Sequence, residues 1–299
     1  MGLLTANQLY ERIAFDESFP ARDLLLPAAQ TLRDIHRRYG FPNPADLAKR
    51  FENGPKWLER PPATAVAAPP PSTPDAGNVS RSCPQRVLLV GSSSIASALG
   101  IALERKLEAE WETRVTRASE LGSGLTRRER YDWQQTLKRM QQRRRPDLTI
   151  VALGANDTRP IDDGRRLHRL RSPAWRSEYE RRVSAIIKTT VRLGGELVWL
   201  GPATVRSANQ TRSLMRVHDV LREKCQGACT FVPMMDIATS ETGDYQEHLM
   251  IDGTLQAVHT DDGKHFNREG ARLAASIVYS RLVMALGLEH CGRAEFTRR

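Results

Sequence analysis

The 299-residue sequence has little cysteine, four residues in all and no Cys-x-x-Cys pair. This excludes a disulfide scaffold, a zinc ribbon and a thioredoxin-like redox motif as its organising principle. No apolar run approaches the roughly 18 residues of a membrane span, and the N-terminal stretch lacks a basic segment followed by an apolar one. The chain as given is therefore expected to carry neither a membrane span nor an export signal. No G-x-S-x-G elbow marks an ordinary α/β-hydrolase. No G-x-G-x-x-G or G-x-x-x-x-G-K follows the first strand, which argues against dinucleotide or nucleotide binding. Internal repeats are also missing. What remains is ordinary for a soluble protein: 40% hydrophobic and 27% charged residues exclude wholesale disorder and a polytopic membrane protein. The length suits one large domain or about two smaller ones. Lys+Arg at 45 against Asp+Glu at 35 gives a net charge of +10, so acidic partners have to be considered.

Three regions differ in texture. Residues 1–60 read as short helices, with Thr5 and Gln8 at capping-box spacing and Gly40 as a helix stop after Arg37 and Arg38. Residues 61–82, PPATAVAAPPPSTPDAGNVSRS, have almost nothing to bury and read as a linker. From residue 83 to 299, strand and helix patterns alternate. Strands are predicted at Val87–Val90, Trp111–Thr116, Leu148–Leu153, Leu197–Leu200 and Thr230–Val232. Helices are predicted at Ile95–Leu107, Tyr131–Arg144, Trp175–Leu193 and Arg268–Leu286, with Met215–Cys225 as part of another and a long irregular segment before the last. Uniformly apolar strands separated by helix-length segments imply a parallel sheet covered on both faces, a three-layer α/β/α domain.

Ligands of such sheets bind outside the carboxyl ends of the strands. Four loops should gather there: Gly91-Ser-Ser-Ser94, Gly122-Ser-Gly124, Gly154-Ala-Asn-Asp157 and Asp261-Asp-Gly-Lys-His265. Each has a plain structural reading. A serine cluster caps helices, Gly-Ala-Asn-Asp makes a turn, and Asp262 can cap the last helix or join His259 and His265 around a metal. Together they supply a different chemistry. A serine hydroxyl needs a base, the base needs a carboxylate to fix its tautomer, and the developing oxyanion needs donors. Ser93, His265 and Asp262 provide the first three parts; Ser93, Gly124 and Asn156 lie on loops that can provide the donors.

The blocks V-G-S-S-S-I (90–95), the Gly-containing loop after the second strand, G-A-N-D (154–157) and D-G-K-H-F (262–266) resemble the SGNH/GDSL hydrolase superfamily. Its flavodoxin-like α/β/α fold is the one expected here. The resemblance covers nearly the whole region after the linker. It implies Ser93 as nucleophile and first oxyanion donor, Gly124 and Asn156 as further donors, His265 as base and Asp262 as its partner. Gly122 is a near alternative to Gly124. Ser92 stands where the superfamily usually has Asp. Of the three serines the alignment selects Ser93, leaving Ser94 to cap the following helix. Ser-Gly-Leu before Tyr-Asp-Trp (123–133), Val-Trp-Leu-Gly-Pro (198–202) and the run from Gly263 to Ala271 are similar to a bacterial cell-envelope branch. That likeness implies a periplasmic or envelope location.

The implied activity is hydrolysis of an acyl ester, O-acetyl on a carbohydrate first among them, through an acyl-serine intermediate and without a cofactor or metal. The alternatives are acyl transfer to a sugar hydroxyl by the same residues and a non-catalytic envelope-binding module. Between Arg127 and Arg182 stand 16 basic and 8 acidic residues. This basicity could attract an anionic envelope polymer, although arginines at helical spacing such as Arg139, Arg143 and Arg144 read as a solvated face. No nucleic-acid motif accompanies the charge, so nucleic acid is not an expected partner. In a parallel sheet, the start of the first strand and the end of the last helix lie opposite the site. The disulfide pairs expected in an oxidising compartment are therefore Cys83–Cys291 and Cys225–Cys229.

Overall fold

The computed structural model describes residues Ser82–Cys291. The helices expected over 1–60, and the linker over 61–82 apart from Ser82, lie outside the described residues. A five-stranded parallel sheet forms the middle layer: β1 (Arg86–Gly91), β2 (Arg114–Ser119), β3 (Leu148–Ala152), β6 (Glu196–Ala203) and β7 (Thr230–Met234), in the order β2-β1-β3-β6-β7. Strand order reverses beside β1, because β2 lies on one side of it and β3 on the other. That switch point is where an open α/β sheet offers a crevice. Two hairpins lie outside the sheet, β4 (Ile161–Asp162) with β5 (Leu167–His168), and β8 (His248–Ile251) with β9 (Thr254–Ala257).

β1 shows why these strands read as continuous apolar runs. Val87 and Leu89 face one layer while Leu88 and Val90 face the other, so both sets of alternating side chains are buried. The first face packs on α2 (Ala98–Trp111) through Leu99, Leu103 and Leu107, and on α6 (Arg268–Leu286) through Ala274, Val278 and Leu282. The second face carries α3 (Trp133–Arg144), α4 (Pro173–Arg192) and α5 (Ala208–Cys225). None of the described helices is long and apolar enough to cross a membrane.

Several boundaries differ from the sequence reading. The expected helix from Ile95 is two helices, α1 (Ser93–Ala96) and α2, broken at Ser97. The doubling is tight enough that a side chain at Gly100 would lie 1.9 Å from the Ile95 carbonyl oxygen. Trp111, expected to open a strand, closes α2 instead. It continues the stripe of Leu99, Leu103 and Leu107 at steps of four, and Glu112 then turns the chain at φ 51° before β2. The irregular segment after β7 contains the β8–β9 hairpin. Both expected disulfides are present, Cys83–Cys291 with Cα atoms 5.5 Å apart and Cys225–Cys229 with 4.5 Å.

Candidate active site

The chain leaves β1 at Gly91, where any side chain would meet Ile95 Cγ1 at 2.5 Å and the Ala152 carbonyl oxygen at 2.7 Å. Glycine there lets α1 turn directly off the strand, so Ser93 stands at the sheet edge as the first residue of the helix. Ser92 occupies the N-cap position but makes no side-chain cap. Its hydroxyl is buried with no hydrogen-bond partner among the described residues. Ser94 is not a cap either: it lies within α1 and faces the same cleft as Ser93.

His265 comes from the loop between β9 and α6. That loop is stapled at its end by Asn267, which caps α6 by accepting from the Gly270 N–H at 2.9 Å and donates its Nδ2 to the Ala257 carbonyl at 2.7 Å. Asn267, not Asp262, is the helix cap. Asp262 is committed locally: its Oδ1 accepts from Thr260 Oγ1 at 2.7 Å, the Lys264 N–H at 2.8 Å and the His265 N–H at 3.1 Å. Its Oδ2 meets His265 Nδ1 at 2.6 Å, and His265 Nε2 meets Ser93 Oγ at 2.8 Å. Partial burial works to raise the Asp262 carboxyl, but the hydrogen bonds from Thr260, the two backbone amides and the His265 ring outweigh it and hold it well below the usual carboxylate range. An ionised carboxylate only accepts, so Nδ1 carries the proton. In the neutral imidazole Nε2 is then an acceptor facing the serine hydroxyl.

Ser93, Asn156 and His265 line one cleft of about 90 Å³, walled by apolar groups that include Ala152, Leu200, Leu214, Met234 and Phe266. Asn156 donates Nδ2 to the Ser123 carbonyl at 2.9 Å, bridging the loops after β3 and β2. Gly124 does not line the cleft. It is buried, so close to Asp157 that a Cβ would lie 2.2 Å from Asp157 Oδ1. Gly122 sits beside the Arg130 guanidinium. His259, Asp262 and His265 do not converge on a common point. Among the described residues the only cluster with ligand atoms that close is Cys83, His290 and Cys291, whose sulfurs are bonded to each other. His259 instead stacks on Phe266 with ring centroids 5.0 Å apart and lies 4.5 Å from the Tyr245 ring.

Several supporting residues have roles that carried no signal in the sequence, even where the residue itself lies in a quoted block. Asp157 is fully buried and accepts from the Thr126 N–H at 2.9 Å, Thr126 Oγ1 at 3.1 Å and Tyr179 Oη at 3.0 Å. Burial pushes its carboxyl up, against those hydrogen bonds. Three buried indoles pin strand-end loops: Trp133 donates to Ser123 Oγ, Trp175 to the Arg159 carbonyl and Trp199 to the Leu153 carbonyl, at 2.9, 2.8 and 2.9 Å. Arg206 clamps the histidine loop. Its N–H donates to the Gly263 carbonyl at 2.8 Å, Nη1 to the Asp261 carbonyl at 2.7 Å and Nη2 to Glu247 at 2.8 Å. A side chain at Gly263 would strike Arg206 Cβ at 2.6 Å. The signals for these pairings are single residues 55 and 41 positions apart, a separation no local pattern reaches.

A parallel sheet in the order β2-β1-β3-β6-β7, with Ser93, Asn156 and His265 lining one cleft at its switch point, defines a three-layer α/β/α protein. More particularly, residues 86–281 match the family described as "Protein of unknown function (DUF459)", and the chain belongs to that family. No curated protein sequence matches it. Solved structures similar to it include the psychrotrophic esterase EstA from Pseudoalteromonas sp., at 14% identity and TM-score 0.45, covering 68% of this chain and 99% of that one. Another is a GDSL-like lipase from Bacteroides thetaiotaomicron, at 9% identity and TM-score 0.49, covering 67% and 89%. A third is a carbohydrate acetylesterase family member from Sinorhizobium meliloti, at 17% identity and TM-score 0.46, covering 68% and 100%.

Proposed function

We propose that this protein is a serine esterase that removes a short acyl group, acetyl first among them, from a carbohydrate of the cell envelope. The observation that carries the reading is the unbroken chain of contacts from Ser93 Oγ through the His265 ring to Asp262, at 2.8 and 2.6 Å. In the proposed reaction Ser93 Oγ attacks the acyl carbonyl carbon as its proton passes to His265 Nε2, and Asp262 supports the imidazolium. The oxyanion is held by the Ser93 N–H, which as a first-turn amide has no intrahelical acceptor, and by Asn156 Nδ2, which has a second proton besides the one given to Ser123. Gly124 is the third proposed donor and joins only through a shift of its loop into the cleft. Collapse expels the sugar hydroxyl with the proton from His265. Water, deprotonated by the same ring, then releases the acid and restores Ser93.

The size of the acyl group is read from the cleft. About 90 Å³ bounded by alanine, leucine and methionine is far below the roughly 300–1,000 Å³ of pockets for drug-sized ligands. A two-carbon acyl group is the natural occupant. The test is turnover of p-nitrophenyl acetate, butyrate and octanoate, together with acetate release from an O-acetylated glycan. We expect kcat/KM to fall along the series. Ser93→Ala is expected to lose at least about 10⁴-fold and Asn156→Ala about 10²- to 10³-fold in kcat. Octanoate turned over as well as acetate would remove the short-acyl reading, and a folded wild-type protein inert to all three would remove the esterase.

A further inference from the structure

Beside the cleft lies a surface the proposed chemistry does not use. The segment from Arg159 to Arg171 leaves the carboxyl end of β3 just after Asn156, forms the β4–β5 hairpin and enters α4. It contains Arg159, Arg165, Arg166, Arg169 and Arg171, all exposed. Its two acidic residues are spent within the turn. Asp162 accepts from the Gly164 N–H at 2.8 Å, while Asp163 accepts from the Arg165 and Arg166 N–H groups, both at 2.8 Å, and meets His168 at 2.7 Å. None of the five guanidinium groups has a hydrogen-bond or ion-pair partner among the described residues. The turn thus engages its carboxylates with its own backbone and His168, and leaves the five guanidinium groups without a partner among the described residues.

The surface is also fixed. Arg182, nearly buried, donates Nη1 to the Leu125 carbonyl at 2.7 Å and Nη2 to the Asp162 carbonyl at 2.6 Å, tying the hairpin to the loop after β2. Between the two runs an open groove of about 820 Å³ whose lining is balanced in charge: Arg127 and Arg128 pair with Glu129 and Asp132, and Arg181 and Arg182 with Glu178, so that Arg159 is its one arginine whose guanidinium has no partner among the described residues. Its wall at Thr126 is bonded to Asp157, next in sequence to the cleft-lining Asn156. Groove and cleft are thus linked through the buried Asp157, which holds Thr126 of the one and follows Asn156 of the other.

We propose that this arginine surface binds an acidic polysaccharide, and that the ester presented to Ser93 is carried on such a chain. Free guanidinium groups on a braced scaffold pair bidentately with carboxylates, and an extended polymer engages several at once. A single-stranded nucleic acid is the poorer fit, since no Phe, Tyr or Trp lies between Arg159 and Arg171 to stack a base. The polymer's identity as substrate rests on the esterase reading, but its binding does not, and the two are measured separately. Fluorescence anisotropy with labelled polygalacturonate, dextran and a single-stranded oligodeoxynucleotide, at low and at physiological salt, reads the binding of unesterified chains. Turnover of p-nitrophenyl acetate on the same preparation reads the esterase.

Saturable, salt-sensitive binding to polygalacturonate, none to dextran and weaker binding to the oligonucleotide are expected. The triple change Arg159→Gln, Arg165→Gln, Arg166→Gln should weaken it about tenfold or more. Arg139→Gln, Arg143→Gln, Arg144→Gln removes the same charge from α3 and should cost less than about twofold. The double change Arg169→Gln, Arg171→Gln should act in the same direction as the hairpin triple, so the outcome does not depend on one variant folding. Equal losses in the two triples would reduce the effect to diffuse charge and overturn the proposal. So would tighter binding to the oligonucleotide, or no binding to polygalacturonate at low salt.

Discussion

At the scale of the residue, the site is a study in where hydrogen bonds are spent. Asp262 gives one oxygen to Thr260 and two amides, which leaves the other to hold a single ring nitrogen in place. His259, six residues before His265, has the opposite setting. Burial depresses it, with Glu247 and Asp262 opposing and Arg206 assisting, from the ordinary 6.5 to about 4. Because the folded value is the lower one, the unfolded chain takes up the proton first as pH falls. The stability His259 contributes is present above about pH 6.5 and is lost between there and about pH 4. Melting temperatures from pH 7.5 to 4.5 should therefore fall more steeply for the wild type than for His259→Phe, whose ring fits the same stack. Parallel curves would contradict this assignment. In the sequence His265 stood out by its block, while His259 offered only a candidate metal ligand. The packing of Tyr245 and Phe266 around His259 gives it a structural place instead.

At the scale of the element, the loops are set by how closely helices approach them. Gly270, in the first turn of α6, lies so near the loop that a Cβ would fall 1.9 Å from the Val258 carbonyl oxygen. Gly270→Ala should push α6 away from the segment that carries His265. We expect a destabilisation of about 1–3 kcal/mol from overpacking and a loss of small-ester turnover larger than the loss of folded protein accounts for. Unchanged kinetics would mean that the loop tolerates the shift. The long elements were legible because burial on both faces of the sheet writes unbroken apolar runs, and because helix stripes repeat at steps of four. Trp111 was misread since a tryptophan after a charged run suits either state, and only its alignment with Leu107 on the core face decides. The two-residue strands β4 and β5 carry no periodicity at all. Their position is fixed by Arg182 and Trp175 from a helix later in the chain, a tertiary cause that leaves no local trace.

At the scale of the whole molecule, Cys83–Cys291 closes the described domain by joining the segment just before β1 to the last turn after α6, across 208 positions, whereas Cys225–Cys229 closes only 4. On a loop-entropy view the first is worth about 5 kcal/mol and the second about 2. Replacing Cys83 and Cys291 by alanine should accordingly lower the melting temperature more than replacing Cys225 and Cys229. The reverse order would show that local packing at the end of α5 outweighs chain closure. The sheet order and the meeting of the loops after β1 and β3 with the loop that carries His265 give Ser93 its place, and that place carries the functional claim. The most direct measurement is peptide mapping of the folded protein after treatment with a serine-directed phosphonate. A single adduct on Ser93, lost in His265→Ala, is expected. An adduct on Ser92 or Ser94, or no adduct while the cleft admits the reagent, would contradict it.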